Sequence, residues 1–237
     1  MLPQKTILTI FDLSQIPDVS VVTHRLDQTI VNTANQFASE KRRLQFLSGR
    51  WLLSELLHQF AHVEVLPEIC LGLNGKPSFV DPTLPSFNIS HSGHLIMVAL
   101  SFSGTIGLDL EVVQNRPKFL QLAKHSFGTQ ECLYLDTLTA SEQLPYFWRL
   151  WTIRESILKL KSLSVWQMKE IQIIPETNKI KFQEHTSIYS ISHVNSDYAW
   201  ALSSNQHFPQ IDVVSFNLVQ KQFILNKCNI LLEYFLS

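Results

Sequence analysis

Two carboxylates set two residues apart are the sharpest chemical feature of the chain. In Gly107-Leu108-Asp109-Leu110-Glu111 apolar and acidic residues alternate, as in a strand with one buried face. Alternate side chains share a face, so Asp109 and Glu111 point the same way about 7 Å apart and repel each other. A hard divalent cation relieves that repulsion. Mg²⁺ in particular is held by one or two carboxylates together with water and substrate phosphates. A solvated polar strand face is the plainer alternative. A second stretch, Trp151-Thr152-Ile153-Arg154-Glu155-Ser156-Ile157-Leu158-Lys159, places Trp151, Glu155 and Lys159 in one i, i+4 row on a helix. Glu155 and Lys159 read as a surface ion pair worth a few tenths of a kcal/mol. Because Glu155 sits between apolar positions, they also read as a third carboxylate and a cation beside Asp109 and Glu111.

Cationic side chains suited to phosphate form a second group. Lys41, Arg42, Arg43 and Arg50 lie on or near one long helical stretch, and Lys76 follows Asn74-Gly75, a dipeptide that favours a tight hairpin turn. Lys41 to Arg43 read by default as a solvated face. Arg50 lies within an apolar run, and arginine grips phosphate through two parallel hydrogen bonds. His91, in Ile89-Ser90-His91, reads either as a packed histidine or as a ligand-contacting one. Several competing chemistries lack their motifs: there is no Walker A sequence, no GxGxxG and no Gly-x-Ser-x-Gly elbow. His58 and His62 have helical spacing, but residue 59 is Gln, so the HExxH pattern fails.

The elements that must position these residues alternate between helix and strand. Residues 39–61 predict a helix with Ser39 as N-cap and Leu44, Leu47, Trp51, Leu52, Leu56 and Phe60 along one side. Residues 129–138 and 145–163 predict two more, the latter with Pro145 in its first turn. Residues 86–101 read as extended chain around a turn-like Ser92-Gly93-His94, and 105–113 as a strand entered through Ser103-Gly104. Short strands are expected at 169–174, 179–182, 187–192 and 198–203, and residues 223–235 read as strand or helix.

Two tripeptides return at one offset. Ile89-Ser90-His91 recurs as Ile191-Ser192-His193 and Ala99-Leu100-Ser101 as Ala201-Leu202-Ser203, each 102 residues on. Each copy has a long amphipathic helix upstream. A duplicated helix-plus-hairpin unit is the economical explanation. The expected fold is therefore α+β: two similar lobes, each a long helix packed on a small antiparallel sheet, related by a pseudo-twofold axis. The expected lobes are residues 1–105 and 106–237, and ligand sites favour such interfaces.

Composition bounds the rest. With 237 residues, 45% hydrophobic and 16% charged, the chain has ample material for one or two cores and is no disordered protein. Nineteen Lys and Arg against 20 Asp and Glu exclude binding of nucleic acid or anionic membrane by bulk charge. No apolar run approaches the ~20 residues of a membrane helix, and Met1 to Asp12 shows no secretory signal. Cys70, Cys132 and Cys228 form neither a disulfide framework nor a metal knuckle, which fits a reducing cytoplasm, and each reads as a small buried hydrophobe.

Taken in order, these pieces resemble a family. The basic helix ending near Gly49-Arg50, then Gly75-Lys76-Pro77, Phe87-Asn88-Ile89-Ser90-His91-Ser92, Gly107 to Glu111, Phe127 to Glu131 and Trp151 to Lys159 resemble the motifs of the 4′-phosphopantetheinyl transferase superfamily, of the monomeric type related to the surfactin-synthetase-activating enzyme. The likeness spans roughly residues 40–160, and the 191–193 echo extends it. It implies transfer of the 4′-phosphopantetheine arm of coenzyme A to a serine of an apo acyl, peptidyl or aryl carrier protein, with release of 3′,5′-bisphosphoadenosine. It further implies that Asp109, Glu111 and Glu155 bind Mg²⁺, that Glu155 activates the serine, and that Lys159 steadies the phosphate at the reacting end. By the same resemblance Lys76, Ser90 and His91 contact coenzyme A, Arg50 lies near its 3′-phosphate, and the 127–138 segment helps dock the carrier. A cytoplasmic monomer without nucleic-acid or membrane partners is the expectation.

One departure bears on function. Arg154 stands where the family usually has Lys, and the two are not interchangeable at a phosphate. Two rival readings share the same residues: another Mg²⁺-dependent enzyme that cleaves a pyrophosphate, and a non-catalytic module that binds coenzyme A or a carrier protein.

Overall fold

The computed structural model describes residues 4–182 and 187–226, and the backbone of 233–236. In chain order the elements are β1 (Thr6–Asp12), α1 (Ser20–Thr23), α2 (Gln28–Asn35), α3 (Glu40–Ala61), β2 (Ile69–Leu71), β3 (Pro77–Phe79), β4 (Ser86–Ser92), β5 (Leu95–Ser101), β6 (Ile106–Val112), α4 (Phe119–Ser126), α5 (Thr129–Thr137), α6 (Ala140–Lys161), β7 (Gln172–Ile174), β8 (Lys179–Lys181), β9 (Tyr189–Val194), β10 (Tyr198–Ser204), β11 (Ile211–Asn217), β12 (Gln222–Leu225) and β13 (Glu233–Leu236). The fold is mixed α+β. The chain forms two compact units, one of Met1–Cys70, Pro77–Ser103 and Pro209–Cys228, the other of Leu71–Lys76, Gly104–Phe208 and Asn229–Ser237. Both units are discontinuous in sequence, the chain passing from one to the other after Cys70, Lys76, Ser103 and Phe208.

The first unit is a sheet of order β12-β11-β1-β5-β4 under α3. β1 pairs antiparallel with β5 and parallel with β11, whose first residue follows it by about two hundred positions. Ser39 caps α3, its hydroxyl accepting from the Arg42 amide. Leu47, Trp51, Leu52 and Leu56 then face a core with Ile96, Val98, Leu100 and Phe216. The turn between β4 and β5 falls at Gly93-His94, as the sequence suggests.

The second unit is a sheet of order β6-β10-β9-β13-β8-β7 with α6 across β6, β10 and β9. Phe147, Trp148, Ile153 and Ile157 of α6 meet Phe127, Ile171, Ala199 and Ala201 in its core. α6 begins at Ala140, five residues before the expected start: Thr139 is the N-cap, the Glu142 carboxylate reaches back to its amide, and Pro145 lies inside the helix. Residues 165–170 form a 3₁₀ turn before β7, so the 169–174 strand is shorter than expected. Within 223–235, residues 223–225 and 233–235 are strand; residues 227–232, Cys228 among them, lie outside the described residues. Cys70 is exposed, not buried, with its thiol 3.4 Å from the Ser78 hydroxyl, because β2 is a short surface strand.

Candidate functional site

The acidic site is built where α6 lies on β6. Gly107, Asp109 and Glu111 share the face of β6 that the helix covers, and across β10 they register against Ser203, Ala201 and Ala199. That whole row is small, and Gly107 sets the limit. A Cβ there would stand 2.1 Å from the Ser156 carbonyl oxygen and 2.3 Å from the Leu160 nitrogen, both backbone atoms of α6. Glycine thus lets the helix descend onto the strand, and the residues flanking that contact, Glu155 and Lys159, come down beside Asp109. Leu108 and Leu110, on the opposite face, are buried as the alternation requires.

Lys159 Nζ donates to Asp109 Oδ1 at 2.6 Å, with the aspartate 4% exposed. The expected pairing of Lys159 with Glu155 along the helix is therefore replaced by a contact across to the strand. Half-buried Glu155 titrates far from its ordinary range. Burial and then the charge of Asp109 push it up, Lys159 pulls it down, Glu111 pushes it up again, and the carboxyl reaches about 7. The three acids are thus one electrostatic group, with a proton exchanging on Glu155 near neutrality. Among the described residues no three His, Cys, Asp or Glu side chains form a ready-made cage for a metal ion. Asp109 and Glu111 act on Glu155 through their charge, and the three do not form a closed ligand sphere. An all-oxygen, mutually repelling donor set that leaves positions for water and phosphate is what Mg²⁺ favours, so the residues fit that ion.

Arg154 is no phosphate contact. It is fully buried, paired with the equally buried Glu131, and donates to the carbonyls of Leu150 and Ile171 at 3.2 Å each. Its guanidinium lies 4.4 Å from the centre of the Phe127 ring. Glu131 also accepts from the amides of Gly128 and Ile173. The Phe127 to Glu131 element is therefore tied to α6 through its interior, and the planar fork of Arg makes more of these bonds than Lys has donors aimed to make.

The remaining candidates divide between the units. In the second, Asn74 and Gly75 both have positive φ, 52° and 76°, the tight turn expected for that dipeptide. The turn presents Lys76, whose Nζ donates to the Leu160 carbonyl at 3.0 Å. Burial and the neighbouring Lys161 push this ammonium down to about 8. In the first unit, half-buried Arg50 stacks 4.4 Å from the Phe46 ring centre, and burial lowers its pKa. Ser90 is buried and His91 exposed on β4. As sequence neighbours in a strand they project to opposite faces, so one ligand surface is served by only one of these side chains. His193, the echo of His91, is half-buried against Tyr198 and Trp200.

Sequence reasoning missed the Glu131–Arg154 pair, whose members are 23 residues apart. It also missed a second echo: Trp51-Leu52-Leu53-Ser54-Glu55 on α3 matches Trp151-Thr152-Ile153-Arg154-Glu155 on α6 at an offset of 100, the same position in each 22-residue helix. The Trp-x-x-x-Glu spacing was the available signal.

Known proteins resemble this chain over the segment that carries the acidic strand and the helix across it. A family model described as the 4′-phosphopantetheinyl transferase superfamily matches residues 105–204, which carry β6, α4 to α6 and β7 to β10. The 4′-phosphopantetheinyl transferase AcpT of Escherichia coli O157:H7 is 40% identical over 130 residues, 55% of this chain and 64% of that protein. AcpT of Salmonella typhimurium is 38% identical over 130 residues, 55% of this chain and 65% of that protein. The chain thus spans slightly under two thirds of the length of these relatives. The 4′-phosphopantetheinyl transferase HetI of Nostoc sp. is 30% identical over 175 residues, 72% of this chain and 73% of that protein. With the acidic strand and the Glu-bearing helix inside the matched segment, and one relative matched over nearly three quarters of its own length, the chain belongs to the 4′-phosphopantetheinyl transferase superfamily.

Proposed function

We propose that the protein transfers the 4′-phosphopantetheine arm of coenzyme A to a serine hydroxyl of an apo carrier protein, in the manner of the surfactin-synthetase-activating type. The observation that carries the reading is the coupled Asp109, Glu111 and Glu155 group with Lys159 at its edge. In the reaction a bond forms between the serine oxygen and the arm's phosphorus, one diphosphate P–O bond breaks, and 3′,5′-bisphosphoadenosine leaves. Asp109, Glu111 and Glu155 would hold Mg²⁺, which when bound supplies neutralisation of the charge on the diphosphate.

The chain's own residues supply the rest. Glu155 takes the serine proton directly or through a water, as a carboxylate positioned at the reacting end can. Lys159 leaves Asp109 for the phosphate, exchanging one oxygen partner for another. Lys76 serves as a phosphate anchor, and Arg50 and the exposed His91 serve the coenzyme, while Ser90 is buried on the other face of the strand. The two units are tandem copies of one helix-plus-hairpin design, and the protein works as a cytoplasmic monomer. Among the described residues no helix is long and apolar enough to cross a membrane.

The test is to mix the protein with coenzyme A, Mg²⁺ and several apo carrier proteins and to weigh the carriers by mass spectrometry. A gain of one arm on the carrier supports transfer. Hydrolysis of coenzyme A with no carrier modified replaces it with pyrophosphate cleavage, and no reaction with any carrier replaces it with a binding module.

A further inference from the structure

The first unit holds a cleft of about 300 Å³ in which α3 exposes one oxygen of an otherwise buried carboxylate. The Glu55 side chain is 5% exposed. All its protein partners crowd onto Oε1: Trp51 Nε1 donates at 3.2 Å, Arg25 Nε forms an ion pair at 3.0 Å, and His24 Nε2 stands at 3.7 Å. Among the described residues no hydrogen bond reaches Oε2, and Glu55 lines the cleft. The walls beside it are apolar, made by Val21, Trp51, Phe216 and Leu218. Trp51 and Phe216 meet edge to face with ring centres 4.9 Å apart, an arrangement that receives a further ring well.

We infer that this cleft binds a small uncharged aromatic molecule carrying a hydroxyl or N–H donor, its ring between Trp51, Phe216 and Val21 and its donor on Glu55 Oε2. A carboxylate oxygen that opens into an apolar-walled cleft favours a ligand with a donor over one without. An anion is refused by the carboxylate. A second full cation is redundant, because Arg25 already matches the charge of Glu55 and Lys221 stands at the lining with the same sign. The volume is at the small end of ligand sites, which suits one or two fused rings. The inference is independent of the transfer reaction. It concerns the helix position that in the second unit carries Glu155, where acids replace the guanidinium as neighbours.

The probes are phenol and indole as donors, with benzoate and benzaldehyde as acceptors, titrated into the full chain. The readout is the Trp51 indole N–H resonance, identified by its loss in Trp51→Phe. Phenol and indole shift it with saturation at roughly high-micromolar to low-millimolar concentration, and the acceptors do not. Glu55→Gln reverses the order: Trp51 and Arg25 demand the amide oxygen at the old Oε1 site, so the NH₂ faces the cleft and benzaldehyde overtakes phenol. Val21→Trp fills the cleft and abolishes the shift in a protein that keeps Glu55, which serves if Glu55→Gln fails to fold. Equal binding of phenol and benzoate, an unchanged order in a folded Glu55→Gln, a shift that survives Val21→Trp, or no shift at about 10 mM phenol each overturns the assignment.

Discussion

Gly107→Ala isolates the contact on which the acidic group depends. The added methyl would lie 2.1 Å from the Ser156 carbonyl oxygen, 2.3 Å from the Leu160 nitrogen and 2.9 Å from the Leu160 Cα. Comfortable separations are about 3.5 Å, so strand and helix must part by about 1 Å or more. No side chain can swing aside, because the opposing atoms are backbone. Overpacking costs about 1–3 kcal/mol in general, and this case belongs at the top. For a chain of this size that is about 6–12 °C in Tm. The same separation lifts Glu155 and Lys159 from Asp109, and a 1 Å displacement at a reacting centre costs on the order of a hundredfold in rate. Calorimetry and the carrier-modification rate read the two effects. Gly49→Ala is the control: its Cβ meets only the Ile89 and Ile96 side chains, at 3.1 and 3.3 Å, which can yield. A Gly107→Ala protein within about 2 °C of wild type would falsify the packing argument whatever its activity.

Other outcomes follow from the same geometry. Glu155→Ala abolishes arm transfer while the thermal midpoint holds or rises, since removing one of several repelling carboxylates seldom destabilises, and Asp109→Ala abolishes it with a lower midpoint, since it also strands Lys159; near-wild-type turnover in either, measured on a responsive carrier, ends the proposed mechanism. Glu155 titrates at about 7 in the fold against an ordinary 4.5, so the fold binds the extra proton between those values. Without metal the associated stability is complete below about 4.5, is lost as pH rises through about 7, and is missing from the pH profile of Glu155→Gln; parallel profiles for the two proteins contradict the shift. Arg154→Ala strands the buried Glu131 charge and costs about 3–5 kcal/mol, read by urea unfolding, whereas a loss confined to coenzyme binding would return Arg154 to a ligand role. Lys76→Ala raises the KM for coenzyme A more than it lowers kcat; a loss in kcat alone rejects the anchor.

Local signals were readable in the chain, and long-range ones were not. Ser39 announced α3, the apolar spacing announced its buried side, and the alternation at 107–111 announced the acidic face. α6 was placed five residues late because Pro145 resembles a first-turn proline, although Thr139 and Glu142 form the true cap. β1 and β11 passed without notice: their pairing joins the two ends of the chain, and a buried central strand such as Thr6–Asp12 shows little polar alternation to mark it. At the site, the residue types of the acidic group were evident, but Lys159 reaching across to Asp109 depended on how deep the helix sits. That depth is set by a glycine whose spacing from Leu160 no local pattern encodes.

Glu131 joins three elements with one carboxylate: the N-cap amide of α5, the Ile173 amide in the middle of β7 and the guanidinium inside α6. A joint of that kind has no slack. The helix turn it holds is the one that carries Glu155, so the backbone of that acid is anchored from inside the unit rather than from its surface.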